Sequence, residues 1–151
     1  MATFIKIADF VEGAMNKELD LSSTTLMKIA LSDTAPTSES PDVTLSGNGF
    51  LANVTEIVYT NYSDSLATDR QLEGVTLAET TGTYKFDCDD FTITAVTGSL
   101  PQWQYLYIWD DAGTTPTDPL IGVWNHGSAI NLALGETANI NINASGLLTV
   151  A

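Results

Sequence analysis

A single cysteine, a single histidine and only five basic residues against nineteen acidic ones set out what this 151-residue chain does without. One cysteine, Cys88, cannot close a disulfide within the chain, so the fold asks for no oxidising compartment. One histidine and one cysteine leave zinc short of ligands. The cations Lys6, Lys17, Lys28, Arg70 and Lys85 are scattered, and the formal net charge is −14. Binding to nucleic acid depends on neutralising phosphates with Lys and Arg, so DNA should repel this chain. No apolar run approaches membrane-spanning length, and Lys6, Asp9 and Glu12 interrupt the N-terminal apolar stretch where a signal peptide would be uniformly apolar. The expectation is a soluble protein, made and assembled in a cytoplasm. Gly47-Asn48-Gly49 lacks the Lys and Ser/Thr that would make it a phosphate loop. No linker and no low-complexity segment divides the chain, which predicts one domain over 1–151 that buries about two-thirds of its unfolded surface.

Catalytic constellations are equally scarce. His126 stands in Asn125-His126-Gly127 beside a strand end, the ordinary place for a turn residue, and Ser128 follows without a nucleophile elbow or an orienting third group. Carboxylates are numerous: Asp87, Asp89 and Asp90 fall between two strands, and Asp110, Asp111 and Asp118 surround a loop. Calcium needs about six to eight converging oxygens, and the first cluster departs from the EF-hand pattern at its third acidic ligand and its glycine. Solvated turn carboxylates are the simpler account. A glycosidase pair would require two acids across a cleft, which spacing alone does not place. Cys88 alternates with Phe86 and reads as a buried, inert thiol. The chain is therefore expected to be no enzyme, with no cofactor and no metal.

What the chain does have is β pattern. Trp103, Tyr105, Tyr107 and Trp109 recur at strict period two with Leu106 and Ile108 between them. In a strand, expected here from Gln102 to Trp109, this puts large aromatics on one face and aliphatics on the other, so both faces want cover. The domain core should take one face, and a helix or a second subunit the other. Further strands are expected at Thr25 to Leu31, Val43 to Leu45, Gln71 to Leu77, Thr83 to Phe86, Phe91 to Val96, Leu120 to Trp124, Ala129 to Leu132, Thr137 to Asn143 and Leu147 to Val150. A helix or turn fits Leu51 to Ile57. Phe4, Ile7, Ala8, Val11, Ala14 and Met15 have helical spacing, which predicts an amphipathic helix within 1–20 packed on the domain. The fold class is thus mainly β: an antiparallel β-sandwich with one N-terminal α-helix. Asn139, Asn141 and Asn143 form a neutral amide row opposite Ala138, Ile140 and Ile142. A solvated outer face and a docking surface are both consistent with that row.

The order of an N-terminal apolar helix, LMKIALSD (Leu26 to Asp33), LANVTEIVYTNYS (Leu51 to Ser63), then YLYIWDD, acidic loop, PLIGVW and NHG followed by strand pairs up to the C-terminus, resembles a family of small tailed-bacteriophage virion proteins. The resemblance covers most of the chain, and its motifs are structural. It implies a non-enzymatic virion component, with capsid decoration (cement) as the favoured role: bridging major capsid protein subunits on the outer capsid surface, away from the genome and from any membrane. A tail or head-to-tail connector component is the alternative, and a carbohydrate-binding module, suggested by Trp103, Trp109 and Trp124, is a second. A homotrimer is expected, with Tyr105, Tyr107, Trp109, Trp124, Asn139, Asn141 and Asn143 as the contact candidates.

Overall fold

The computed structural model describes residues 3–7, 9–15, 26–35, 49–111, 117–143 and 146–150. The expected strand at Val43 to Leu45 lies outside them. Ten strands occur among the described residues: β1 (Thr3–Lys6), β2 (Met27–Ser32), β3 (Tyr62–Asp64), β4 (Thr76–Thr80), β5 (Thr83–Asp87), β6 (Phe91–Ala95), β7 (Leu100–Asp110), β8 (Leu120–Leu132), β9 (Thr137–Ile140) and β10 (Leu148–Val150). They form three antiparallel sheets, ordered β1-β8-β7-β2, β10-β5-β4 and β3-β6-β9. The chain is mainly β.

The N-terminal helix is a correction. Thr3–Lys6 is a strand, paired with β8 from Thr3 opposite Asn125 to Lys6 opposite Gly122, and the helix α1 covers only Asp9–Met15. A two-turn helix has little stability of its own. The preceding residues gain more by completing the backbone hydrogen bonds of an otherwise open β8 edge. Residues 16–20 of the expected helix lie outside the described set.

The long strands β7 and β8 dominate the molecule, joined across the Asp-rich loop as a hairpin. Their pairing is irregular in three places, around Trp103 on both sides and between Ile108 and Trp109. At the middle irregularity Trp103 faces Ile130 and Tyr105 faces Asn125, so β8 holds three more residues than β7 over that stretch. His126 to Ala129 bulge outward there, with Gly127 at φ +88, a left-handed conformation in which a side chain would be strained. The expected turn at Asn125-His126-Gly127 is therefore a bulge inside one continuous strand, and the two strands expected at Leu120 to Trp124 and Ala129 to Leu132 are one.

The bulges also change the aromatic stripe. Leu106 and Ile108 enter a main apolar cluster with Met27, Ile29 and Leu31 of β2, Phe86 of β5, Phe91 and Ile93 of β6, and Leu148 of β10, so that this cluster draws on all three sheets. Trp103 joins it as well, which breaks the strict alternation at the register shift beside it. Tyr105, Tyr107 and Trp109 stay on the opposite face, in a second cluster with Ile7, Ala30, Leu120 and Val123, flanked by Leu51 and Val54. The central sheet is covered twice, as its apolar pattern demands. The second cover is not the helix, whose Phe10 points into the main cluster. It comes from Ile7 and from the 3-10 turn Leu51–Asn53 with its following residue. The hairpin β4–β5 turns through Thr81 and Gly82 at φ 52 and 84, the left-handed pair of a tight two-residue turn.

Candidate functional site

Of the seven contact candidates, Tyr105, Tyr107 and Trp109 are buried by the chain itself, at 9%, 4% and 5% exposure. No second subunit is needed to cover them. Trp124 is half-buried, and Asn139, Asn141 and Asn143 are exposed while Ala138, Ile140 and Ile142 pack on the main cluster. The alternation from Ala138 to Ile142 thus holds in burial, although the strand pairing of β9 ends at Ile140.

Five of the residues singled out from sequence, Trp103, Trp124, His126, Asn139 and Asn141, meet in one place. Trp103, Gln104, Leu106, Trp124, His126 and Ile130 from β7 and β8 face Asn139, Ile140 and Asn141 across a cleft of about 300 Å³. Its position follows from topology. β9 is the outer strand of its sheet, so its far side carries no further strand, and the cleft runs between that edge and the β7–β8 pair. The β8 bulge swings His126 to the rim. Neither a carboxylate nor a Lys or Arg side chain lines the cleft, although the chain carries a formal charge of −14.

The polar groups of the cleft are partly committed. Gln104 donates its amide to Asn125 Oδ1 at 3.0 Å and to the Tyr105 hydroxyl at 3.2 Å, which leaves its carbonyl oxygen as an acceptor. His126 Nδ1 lies 2.9 Å from the Ser128 carbonyl oxygen; a carbonyl can only accept, so Nδ1 is the donor in that contact. The side-chain amides of Asn139 and Asn141 make no hydrogen bond among the described residues. Trp103 is buried, and its indole N–H has no partner among them. Position and neutrality, rather than reactivity, define what this cleft offers.

A second cluster was not legible in the sequence. Lys28 on β2 bonds Asp69 and Asp111, each at 2.6 Å, and lies 5.5 Å from the centre of the Trp109 ring. Arg70 bonds Glu56 at 3.0 Å and stacks 4.1 Å over Tyr59. The Tyr59 hydroxyl donates to Glu56 at 2.7 Å and accepts the Leu31 backbone N–H at 2.8 Å. These contacts tie the turn Thr68–Arg70 to the central sheet. Asp69 and Arg70 both have positive φ, 59 and 61, held in place by their ion pairs. The hydrogen bond from Lys28 holds the Asp69 carboxyl below the usual range; burial pulls the Lys28 ammonium down, but its hydrogen bonds to Asp111 and Asp69 outweigh that and leave it raised. Beside this network, Tyr59, Tyr62, Asp64 and Arg70 line a broad open depression. Burial first, and Asp64 second, push the Tyr62 hydroxyl well up.

The acidic cluster between β5 and β6 serves the backbone. Asp87 accepts the Cys88 N–H at 3.1 Å and pairs with Lys85 at 2.7 Å, and Asp90 accepts the Ile142 N–H at 2.6 Å. Among the described residues no group of three or more His, Cys, Asp or Glu side chains is placed to hold a metal ion. Cys88 is buried and unpaired, and burial, with Asp87 adding to it, pushes its thiol up to about 12. Of the loop acids, Asp110 is fully buried, Asp111 serves Lys28, and Asp118 sits at φ 52 with its carboxyl raised by burial and by Asp111. No helix among the described residues is long and apolar enough to cross a membrane.

Comparison of the chain with protein-family models, with curated proteins and with solved structures finds no match.

Proposed function

We propose that the chain is a non-enzymatic structural protein of a tailed-bacteriophage virion, a decoration protein that bridges major capsid protein subunits on the outer surface of the head. One observation carries this proposal: three of the segments behind the resemblance, LMKIALSD, LANVTEIVYTNYS and the β7–β8 hairpin, are mutual neighbours. LMKIALSD contains β2, which pairs with β7 from Met27 opposite Asp110 to Ser32 opposite Tyr105. LANVTEIVYTNYS runs beside β2, bonding Leu31 through Ile57 and Tyr59, and places Leu51 and Val54 against the aromatic face of β7. The shared motifs therefore describe one packed unit rather than scattered similarities. As architecture, the unit fits a β-sandwich in which β1-β8-β7-β2 forms one layer and the two three-stranded sheets form the other. A single apolar cluster common to all three sheets supports that arrangement.

The charge distribution supports the outer position. Lys28, Arg70 and Lys85 are each paired with carboxylates of the same chain, so little positive charge remains for phosphate. Attachment then rests on apolar contact and neutral hydrogen bonds. Val96 and Leu134, 45% and 63% exposed, stand on adjoining turns joined by the Gly135 N–H to Ala95 carbonyl bond at 2.7 Å, and they are the contact we assign to the capsid. Self-association as a homotrimer belongs to the same proposal. Cryo-electron microscopy of intact particles tests it: copies spread over the head lattice are expected. A single ring at one vertex would make the protein a tail or connector component instead.

A further inference from the structure

We propose that the cleft between β9 and the β7–β8 pair is a binding site for a neutral, hydroxyl-rich ligand, one or two sugar units in size. This goes beyond capsid attachment, and only the particle-incorporation arm of its test rests on that reading. Four observations converge. The first is volume: about 300 Å³ is at the small end of ligand pockets and suits a mono- or disaccharide rather than a large cofactor. The second is charge, because the lining includes no carboxylate and no Lys or Arg side chain, His126 being its one titratable group, in a chain that is otherwise strongly acidic. A charged ligand would be desolvated there without a counter-charge, whereas a neutral one would not.

The third is the division of labour in the lining. Trp124, half-buried, supplies aromatic surface with Leu106, Ile130 and Ile140 around it, which suits the apolar C–H face of a sugar ring. Asn139 and Asn141 supply donors and acceptors on the opposite wall. Sugar hydroxyls both donate and accept, and an amide matches them in both roles where a carboxylate or an ammonium would match only one. The fourth is a buried polar group that calls for a partner. Trp103 lines the cleft at 2% exposure, and its indole N–H makes no hydrogen bond among the described residues. An orphaned buried donor costs stability until something accepts from it, and because this nitrogen is closed to solvent a ligand hydroxyl oxygen reaches it only once the side chain turns toward the cleft. Gln104 and Tyr105 are held in place by their bond to one another, so the wall is set before the ligand arrives.

The test is titration of the full chain with the neutral disaccharides maltose, cellobiose and N,N′-diacetylchitobiose, with N-acetylneuraminic acid as the charged control. Two signals report: intrinsic tryptophan fluorescence, because Trp103 and Trp124 line the cleft, and side-chain amide NMR shifts of Gln104, Asn139 and Asn141. Saturable binding of at least one neutral disaccharide is expected, with the amide shifts confined to this cleft. The double variant Asn139→Ala/Asn141→Ala, both positions being exposed, should keep its melting temperature and lose at least about tenfold in affinity, as two hydrogen bonds disappear. The double variant should still be incorporated into particles. Lack of saturation by all three neutral sugars at tens of millimolar would overturn the inference, as would preference for the acidic sugar or unchanged affinity in the double variant. Loss of particle incorporation in that variant would overturn it too, by making the cleft an attachment surface for protein.

Discussion

Replacing Tyr107 by alanine separates an internal aromatic face from one that waits for a second subunit. Tyr107 is 4% exposed within a single chain, opposite Val123 on β8 and Ala30 on β2, and it sits in the second apolar cluster with Tyr105 and Trp109. A buried aromatic side chain removes about 150–250 Å² from water, which at about 25 cal/mol per Å² is roughly 4–6 kcal/mol. Measured truncations of buried aromatics cost about 3–5 kcal/mol. For a domain of this size each kcal/mol shifts the melting temperature by about 2–4 °C. Tyr107→Ala should therefore melt roughly 6–20 °C lower, and by the same amount at every protein concentration. Thermal unfolding followed by near-ultraviolet circular dichroism over a hundredfold dilution range, with sedimentation velocity alongside, measures both quantities. If a second subunit covered this face, the variant would instead keep the monomer's melting temperature and lose only the concentration-dependent part of its stability. That result would refute the intrachain assignment of Tyr105, Tyr107 and Trp109.

Four further outcomes follow from local geometry. Thr81 holds φ 52, a left-handed conformation that a β-branched residue adopts only under strain, so Thr81→Asn should stabilise the β4–β5 hairpin by about 1 kcal/mol in urea denaturation. Asp118 has its carboxyl raised by burial and then by Asp111; a folded value above the unfolded one weakens the fold as pH rises through the folded value. Asp118→Asn, which tolerates positive φ, should therefore raise the melting temperature at neutral pH and lose that advantage below about pH 4, where the wild-type side chain is protonated in both states. The Asp69 carboxyl is lowered by its bond to Lys28 and has the opposite sign: its contribution is present above the unfolded value and disappears as pH falls through the folded one. Cys88, buried with its thiol pushed up to about 12, should resist Ellman's reagent at pH 8 in the native protein and react fully in denaturant.

Strand identity was written in the sequence wherever alternation was long. β2, β5, β6, β7 and β10 lie within a residue or two of their expected bounds, because β-branched and aromatic residues at period two suit a pleated surface and little else. The N-terminus misled because Phe4, Ile7, Val11 and Ala14 satisfy a helical period while the backbone of Thr3–Lys6 had an open β8 edge to complete, and that edge exists only in three dimensions. Trp103 misled for a related reason. A bulge moves a residue to the other face of a sheet, and no local residue type announces it except Gly127. β10 is equally short but apolar, whereas β3, Tyr62-Ser63-Asp64, carries two polar residues in three and gives no apolar run to find.

The cleft was half legible. Trp103, Trp124 and the amide row stood out as residue types, yet what brings them together is the position of β9 at the edge of its sheet, which follows from strand order and not from spacing. The Lys28–Asp69–Arg70–Glu56 network was illegible for the same reason. Lys28 and Asp69 are 41 residues apart in sequence and meet only because Gln71 bridges to Lys28 across the sheet margin.

Quantitative mass spectrometry of purified, mature phage particles tests the assignment to the virion most directly. A decoration protein should be recovered in a fixed ratio to the major capsid protein, in copy numbers of the same order, and should remain through density-gradient purification at physiological salt. Recovery of the chain only in the host lysate, with none in purified particles, would contradict the assignment.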